Sequence, residues 1–285
     1  MRKILTCAAL LGATTALTGC SFLGIGGHKD DYRNYDRAGS HHSTHSAHKA
    51  PKSCGSDACL ARWNLEGGIG PSFIVGGDAV SGGGTNAGSG AEIRNISWDT
   101  AYDEGVRAEL GGSYALKPNT KLTALGFYEQ ADSAGSLDWG TVNGQQLTGG
   151  LSDYQSYGGE LGLRQYFRPR RAPLLRTVRP YVEGRAGISY VEDITIQNTQ
   201  LGGAVFSATD VPFYDDSWTG SAAGLVGIET PLTRYSTIAL ETGVRYQGAL
   251  DSNNAVLAPG TAIAGTNNGD ARVTIPLMLR GRYRF

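Results

Sequence analysis

The clearest pattern along the chain is an alternation of apolar and polar residues, and it is sharpest at the C-terminus. From residue 273 to Phe285 the odd-numbered positions read Val, Ile, Leu, Leu, Gly, Tyr and Phe, whereas the even-numbered positions include three arginines. A period of two is that of a β-strand, whose successive side chains point to opposite faces. The length suits a strand that crosses a bilayer at a tilt, which takes about 9–11 residues. The pattern predicts a strand with one face suited to hydrocarbon.

The same alternation recurs upstream and gives eight predicted strands in all. They cover residues 61–74, 101–116, 120–130, 153–167, 178–191, 218–230, 236–247 and 273–285. Short connections at 117–119, 168–177 and 231–235 alternate with long ones at 75–100, 131–152, 192–217 and 248–271. Short turns on one side and long loops on the other are typical of transmembrane barrels. The chain is therefore predicted to be all-β, with an eight-stranded antiparallel up-and-down transmembrane β-barrel over 61–285.

Aromatic residues fall near the ends of the predicted strands, where they would form two interfacial girdles. The predicted periplasmic row is Trp63, Tyr114, Phe167, Tyr283 and Phe285. The predicted outer row is Phe73, Tyr157, Tyr190, Trp218 and Tyr246. Pro276 stands inside the last strand and removes one ladder hydrogen bond, so a bulge or a local gap is expected there.

The inward faces of the predicted strands carry charges of both signs. An eight-stranded barrel is only wide enough for its own side chains to fill the interior. Buried charges must be paired there, because an unpaired one costs several kcal/mol. We therefore predict a network that plugs the lumen. Its members are Glu66, Arg107, Glu109, Glu160, Arg164, Glu183, Arg185, Glu229, Glu241, Arg245, Arg280 and Arg282.

The front of the chain resembles a bacterial lipoprotein signal. A basic start at 1–3 precedes a mostly apolar stretch at 4–17 that is too short to span a bilayer as a helix. The sequence Leu-Thr-Gly-Cys at 17–20 resembles a lipobox, which implies removal of residues 1–19 and acylation of Cys20. An ordinary secretory signal with an incidental cysteine is the alternative.

Residues 20–60 differ in composition from the rest of the chain. They are rich in His, Ser, Gly, Asp and Lys and lack apolar periodicity, which predicts a disordered N-terminal tail. Two interpretations of the histidines stay open, a solvated linker and a metal-capturing tract. The irregular spacing favours the linker. The candidate ligands are His41, His42, His45 and His48.

Charge and cysteine content limit the cellular compartments and binding partners that are expected. The 25 Lys and Arg nearly balance the 26 Asp and Glu, so nothing indicates nucleic acid. Cys54 and Cys59 form a C-x4-C pair. In an oxidising periplasm we expect them to form a disulfide.

The strand pattern, the loop alternation and the terminal Phe285 together resemble the OmpA-type eight-stranded outer-membrane β-barrel family, including small alpha-proteobacterial surface proteins. The resemblance covers 61–285 and implies a structural, adhesive or envelope-stabilising role, with no cofactor and no reaction. It implies a place in the cell outer membrane, with the lipid-anchored tail in the periplasm. The implied partners are outer-membrane lipid, lipopolysaccharide and, through the C-terminal strand, the barrel-assembly machinery. The soluble domain that follows an OmpA-type barrel is not expected.

The sequence also bears on three other functions, an enzyme, a pore and a metal-binding protein. A Ser–His relay needs an imidazole, and no histidine follows His48, so no enzyme is predicted. A small passive pore is the main alternative, and a metal-capturing surface lipoprotein is the second. Trp98, Trp139, Phe213 and Tyr214 lie in the long loops, where exposed aromatic side chains would suit a surface ligand. A stabilised loop cap against lipopolysaccharide is an equal alternative.

Overall fold

Eight strands close into one antiparallel barrel in a computed structural model that describes residues 62–82, 90–167, 178–205, 210–253 and 265–285. The barrel strands are β1 (Trp63–Gly76), β5 (Gly105–Lys117), β6 (Thr120–Ala131), β9 (Tyr154–Tyr166), β10 (Arg179–Val191), β14 (Ser217–Pro231), β15 (Ser236–Gln247) and β16 (Arg272–Arg284). Each pairs with its neighbours in chain order, and β16 closes on β1. The predicted all-β fold with an eight-stranded up-and-down barrel is confirmed.

The barrel strands follow the predicted segments to within two residues, except at the start of the second. That segment was predicted to begin at residue 101, but β5 begins at Gly105. The preceding residues form a single helical turn, α1 (Trp98–Ala101), closed by a backbone hydrogen bond from Tyr102 N to Trp98 O of 3.1 Å. Trp98, the first residue of this turn, is buried.

Alternate side chains of each barrel strand face outward and inward as the period of two requires. On β5, Val106 and Leu110 are 48% and 66% exposed, whereas Arg107 and Glu109 are 3% and 4% exposed. This inverts the usual arrangement in water, in which the charged face is the exposed one. The outer surface is apolar and the interior is charged.

Pro276 is accommodated by a local gap in pairing. The β15–β16 ladder pairs Thr242 with Leu277, then resumes at Arg245 with Thr274 in the same register, so Pro276 lies in the gap. The β1–β16 ladder has a gap of its own between the pairs Ile69–Leu279 and Ser72–Pro276, where a carbon side chain at Gly70 would collide with the backbone of Leu277. The strand keeps its register, and the inward and outward faces are preserved.

The long connections at one end of the barrel fold into further strands, which differs from the predicted loops. They are β2 (Asp78–Val80), β3 (Ala91–Ile93), β4 (Ile96–Ser97), β7 (Leu137–Val142), β8 (Gln145–Leu151), β11 (Ile194–Leu201), β12 (Ala204–Val205) and β13 (Val211–Tyr214). Strands β12, β11, β8, β7 and β3 form one sheet with β13 paired to β11, and β2 pairs with β4. The long connections at this end, together with these strands and α1, are called the cap below, and the opposite end of the barrel is called the short-turn end.

Two-residue turns explain two hairpins of the cap. Asn143 and Gly144 join β7 to β8 with φ of 51° and 76°, and Gly202 and Gly203 join β11 to β12 with φ of 56° and 84°. The common two-residue hairpin turn requires positive φ at both central residues, and the dipeptides Asn-Gly and Gly-Gly favour it. These dipeptides are sequence signals that the loop interpretation overlooked.

The cap has its own hydrophobic core, and this corrects the expectation of exposed loop aromatics. Trp98 and Trp139 are each 1% exposed, Phe213 is 0% and Tyr214 is 1% exposed. Their rings contact one another, with centroids 5.4 Å apart for Trp139 and Phe213 and 6.2 Å apart for Trp98 and Tyr214. Because aromatic residues from separate connections bury one another, none of these four is available to a surface ligand.

The fourth connection is tied to this core through Asn267. Its side-chain amide donates to the carbonyl oxygens of Phe213 and Asn253, each at 3.0 Å. Ser252 Oγ donates to Asn267 O at 2.6 Å. The amide therefore links backbone groups of two connections where they cross.

Two buried tyrosines of the cap give a matched test of its packing. Tyr214 Oη donates to Ala79 O at 2.7 Å and accepts from Gly269 N at 3.1 Å, whereas the buried Tyr102 Oη has no hydrogen-bond partner among the described residues. We expect Tyr214→Phe to lower the free energy of unfolding by about 1–3 kcal/mol, because the carbonyl of the buried Ala79 and the partly buried N–H of Gly269 both lose a hydrogen bond. Tyr102→Phe should leave it unchanged or raise it. Heat denaturation of the two variants checks this, and an equal loss in both would contradict the hydrogen-bond assignment.

Alkaline pH should weaken the cap through the same tyrosines. Burial raises the pKa of Tyr102 well above its usual value and also raises the pKa of Tyr214. A pKa raised in the folded state means that the stabilisation is complete below the unfolded value of about 10 and is lost as pH rises above it. Proteolysis of the cap should therefore accelerate above about pH 10, and an unchanged rate there would contradict it.

Several predicted features lie outside the described residues. They are the signal at 1–19, the lipidation site Cys20, the tail at 20–60 with His41, His42, His45 and His48, and the pair Cys54 and Cys59. Within the described ranges, no helix is long and apolar enough to cross a membrane.

Candidate functional site in the barrel lumen

The charged residues on the inward faces meet in the barrel interior. All twelve residues predicted to lie there are buried, at 5% exposure or less. Each takes part in at least one ion pair with another buried residue. The structure thus brings all twelve together in one connected network.

Glu109 on β5 is the centre of this network. Its carboxylate contacts four arginines from different strands, at 2.8 Å for Arg107, 2.9 Å for Arg185 and 2.7 Å for Arg245, with Arg280 as the fourth. Charge-assisted hydrogen bonds of this kind are about twice as strong as neutral ones. One carboxylate therefore ties β5 to β10, β15 and β16 across the lumen.

The half of the lumen near the short-turn end is held by Glu66. Arg164 binds it through two parallel hydrogen bonds of 2.8 and 3.0 Å, the geometry that a guanidinium and a carboxylate favour. Arg164 Nε also donates to Glu183 at 2.6 Å. Arg282 contacts both Glu66 and Glu229. These pairs join β1, β9, β10, β14 and β16.

Two tyrosines complete this half of the lumen. Tyr166 Oη donates to Glu229 at 2.7 Å, and Tyr181 Oη donates to Glu241 at 2.9 Å. Their ring centroids lie 5.5 Å apart, and the guanidinium of Arg164 lies 5.0 Å from the Tyr181 centroid. Aromatic rings thus fill space between the charges and exclude water from them.

Sequence reasoning missed two members, Glu129 and Arg272. Arg107 contacts Glu129 at 3.0 Å, and Arg272 contacts the other oxygen at 2.9 Å. Glu129 was not predicted because the inward face of β6 also carries the apolar residues Leu125 and Phe127, which weaken the apolar–polar alternation of this strand. Arg272 was missed because the last strand was predicted to begin one residue later, although Arg272 continues the inward even-numbered series.

The network is balanced among the residues that the structure describes. Seven glutamates and seven arginines are buried. An equal number of opposite charges in mutual contact offsets much of the desolvation cost of each. The glutamates are Glu66, Glu109, Glu129, Glu160, Glu183, Glu229 and Glu241, and the arginines are Arg107, Arg164, Arg185, Arg245, Arg272, Arg280 and Arg282.

The outer surface surrounds this interior with an apolar band between two rows of aromatic residues. Near the cap, Tyr128, Tyr157, Tyr190 and Trp218 pair side by side across four strands. Near the short-turn end, the ring centroids of Trp63 and Tyr114 lie 4.9 Å apart, and those of Tyr283 and Phe285 lie 5.5 Å apart.

The spacing of the two rows matches the thickness of a membrane. Along β9, Tyr157 and Phe167 are ten positions apart, which at about 3.4 Å per residue and a tilt of about 40° is roughly 26 Å. The apolar band of an outer-membrane barrel is about 25 Å tall. The surface of the barrel between its aromatic rows therefore has the height expected for a lipid-facing band.

Comparison with known proteins found likeness at the level of structure. No family model matches the chain, and no curated protein sequence matches it. Among similar solved structures, Neisserial surface protein A is 10% identical, with a TM-score of 0.42 over 78% of this chain and 97% of its own. The attachment invasion locus protein Ail of Yersinia pestis, in complex with the heparin analogue sucrose octasulfate, is 14% identical, with a TM-score of 0.36 over 79% and 99%.

A third similar structure is that of a protein named as a protease. The outer membrane protease OmpT of Escherichia coli is 9% identical, with a TM-score of 0.37 over 78% of this chain and 96% of its own. The names of these three proteins span a surface protein, an attachment protein and a protease, so none of their functions is assigned to this chain. The barrel described above rests on its own strand pairing.

Proposed function

We propose that this chain is an outer-membrane β-barrel whose lumen is plugged by ion pairs and whose cap faces the cell exterior. Its role is structural or one of surface interaction through the cap, rather than transport. The observation that carries this proposal is the inversion of the barrel, with exposed leucine, valine and isoleucine outside and buried Glu–Arg pairs inside. Such a surface is stable in hydrocarbon and unfavourable in water.

The charged side chains that fill the lumen of the described barrel support a role other than transport. A cavity of about 10 Å³ lies among the charges, which suits about one water molecule. The guanidinium of Arg107 packs 3.7 Å from the Phe127 ring centroid. A steady current would require the pairs around Glu109 to separate, and each separation leaves an unpaired buried charge.

The cap supports the surface-interaction part of the proposal. Its exposed charged residues are mainly acidic, including Asp99, Asp103, Glu104, Asp132 and Asp138, with Arg94 as a basic exception that pairs with Asp138 at 2.6 Å. Complementary charge steers association. The cap therefore favours positively charged partners, and the buried aromatic core gives it a fixed shape.

Orientation in the membrane can be tested with single cysteines. Val205 in the cap and Leu232 at the short-turn end are 72% and 70% exposed, which makes them a matched pair. We expect a membrane-impermeant maleimide to label Val205→Cys on intact cells and to label Leu232→Cys only after lysis. Labelling of the unsubstituted chain gives the background signal from its own cysteines. Labelling of Leu232→Cys alone on intact cells would mean that the barrel has the opposite orientation. Equal labelling of both variants would mean that the barrel does not span the outer membrane.

A further inference from the structure

The part of the lumen nearest the cap has more positive than negative groups. Arg107, Arg245 and Arg272 converge there on two carboxylates, those of Glu129 and Glu160. The closest contacts are 2.6 Å from Arg245 to Glu160 and 2.8 Å from Arg107 to Glu160. Three guanidinium groups thus share only two carboxylates, which gives them too few negatively charged hydrogen-bond acceptors.

The next carboxylate along the lumen does not remove this shortage. Glu109 contacts Arg107 and Arg245, but the same two oxygens also serve Arg185 and Arg280. Arg272 contacts a single carboxylate, through its Nη2 atom at 2.9 Å from Glu129. Its Nη2 atom also donates to Gln247 Oε1 at 2.9 Å, and its guanidinium lies 3.8 Å from the Tyr154 ring centroid, but both of these partners are neutral. Among the three arginines near the cap, Arg272 thus contacts the fewest carboxylates.

Several donors in this region are buried without a partner in the described part of the chain. They are Arg272 Nε and Nη1, Arg245 Nε and the Ser221 hydroxyl. Arg272 and Arg245 are 4% and 5% exposed. A buried guanidinium N–H without an acceptor is unfavourable, and so is buried positive charge without compensation.

The cavity described above lies among these groups. Its volume is about 10 Å³, and its lining includes Arg107, Glu129, Glu160, Ser221, Arg245 and Arg272. A space of this size takes about one water-sized particle. A water molecule could accept from these donors but would add no negative charge.

We propose that this cavity binds one small monovalent anion of halide size, with chloride as the natural occupant. The anion accepts hydrogen bonds from Arg272, Arg245 and Ser221 and compensates the surplus of positive charge among the three arginines. The site requires the folded barrel but does not require a non-conducting lumen. Its failure would therefore leave the proposed function untouched.

Anomalous scattering from bromide tests the site without any substitution. Crystals of the full chain grown with bromide in place of chloride should show an anomalous peak within hydrogen-bond distance of Arg272 and Arg245. Ordered density without an anomalous peak at that place would mean that water alone occupies the cavity, and the proposal would be wrong.

Halide-dependent stability gives a second and independent test. In detergent, the apparent melting temperature of the full chain should be higher by about 2 °C or more in chloride than in gluconate of equal ionic strength. The difference should vanish in Arg272→Gln and persist in Lys121→Gln. The Lys121 ammonium lies 5.5 Å from the Tyr166 ring centroid, near the short-turn end of the lumen. Equal melting in both salts, or a difference retained in Arg272→Gln, would overturn the site.

Discussion

Replacement of Glu109 by glutamine should lower the free energy of unfolding by about 3–5 kcal/mol, because it removes one partner from several buried ion pairs at once. Four arginines contact this carboxylate, and Glu109 is 4% exposed. Glutamine keeps the shape of the side chain but not its charge. The four guanidinium groups would then keep only their other carboxylate partners and would repel one another more strongly. Urea unfolding in detergent, followed by the loss of the compact form on a gel, measures the effect.

Glu104→Gln is the matched control for this substitution. Glu104 lies five residues earlier in the chain and is exposed at the cap. Its neutralisation should change the free energy of unfolding by no more than about 0.5 kcal/mol, as for most exposed sites. Equal stability of the two variants would mean that the charge at Glu109 is solvated, and the ion-paired interior would be refuted.

A charge on the outer surface should be as harmful as the loss of one inside. Leu161 is 64% exposed and lies near the middle of β9, between Ala124 and Ala186 on the neighbouring strands. If lipid covers this surface, Leu161→Arg costs about 2–4 kcal/mol, the penalty for arginine at the bilayer midplane. The fraction of chain that folds into vesicles, measured against urea, reports this cost.

Leu232→Arg distinguishes a lipid-facing surface from one that is merely exposed. Leu232 is 70% exposed but belongs to the turn between β14 and β15. Near the interface the same substitution costs about 0–1 kcal/mol. If both variants fold equally well in vesicles, the apolar band does not face lipid.

The barrel could be predicted from sequence because each strand carries its own evidence. In β5, Val106, Leu110 and Tyr114 alternate with Arg107 and Glu109, so a local pattern fixes the face of every residue. The charges themselves indicated the lumen, since a narrow barrel leaves no room for unpaired ones. Where a strand mixes apolar and charged residues on its inward face, as β6 does, the same reasoning lost a member of the network.

The cap could not be predicted in the same way, because its strands are short and its core is assembled from distant parts of the chain. Trp139 and Phe213 meet at 5.4 Å although they are far apart in sequence, and neither local segment shows an apolar face long enough to indicate burial. The hairpin dipeptides Asn143-Gly144 and Gly202-Gly203 were legible as turns. They indicate where the strands reverse but not which aromatic residues the folded cap would bury.

Planar-bilayer conductance of the purified chain tests the central claim most directly, because it asks whether the charged lumen is closed. The ion pairs around Glu109 and the aromatic packing of Phe127 on Arg107 predict no steady conductance above that of the bare bilayer. Heat-denatured chain added at the same concentration controls for leakage caused by unfolded material. Steady openings of a single size from the folded chain would contradict the plugged lumen and establish a pore.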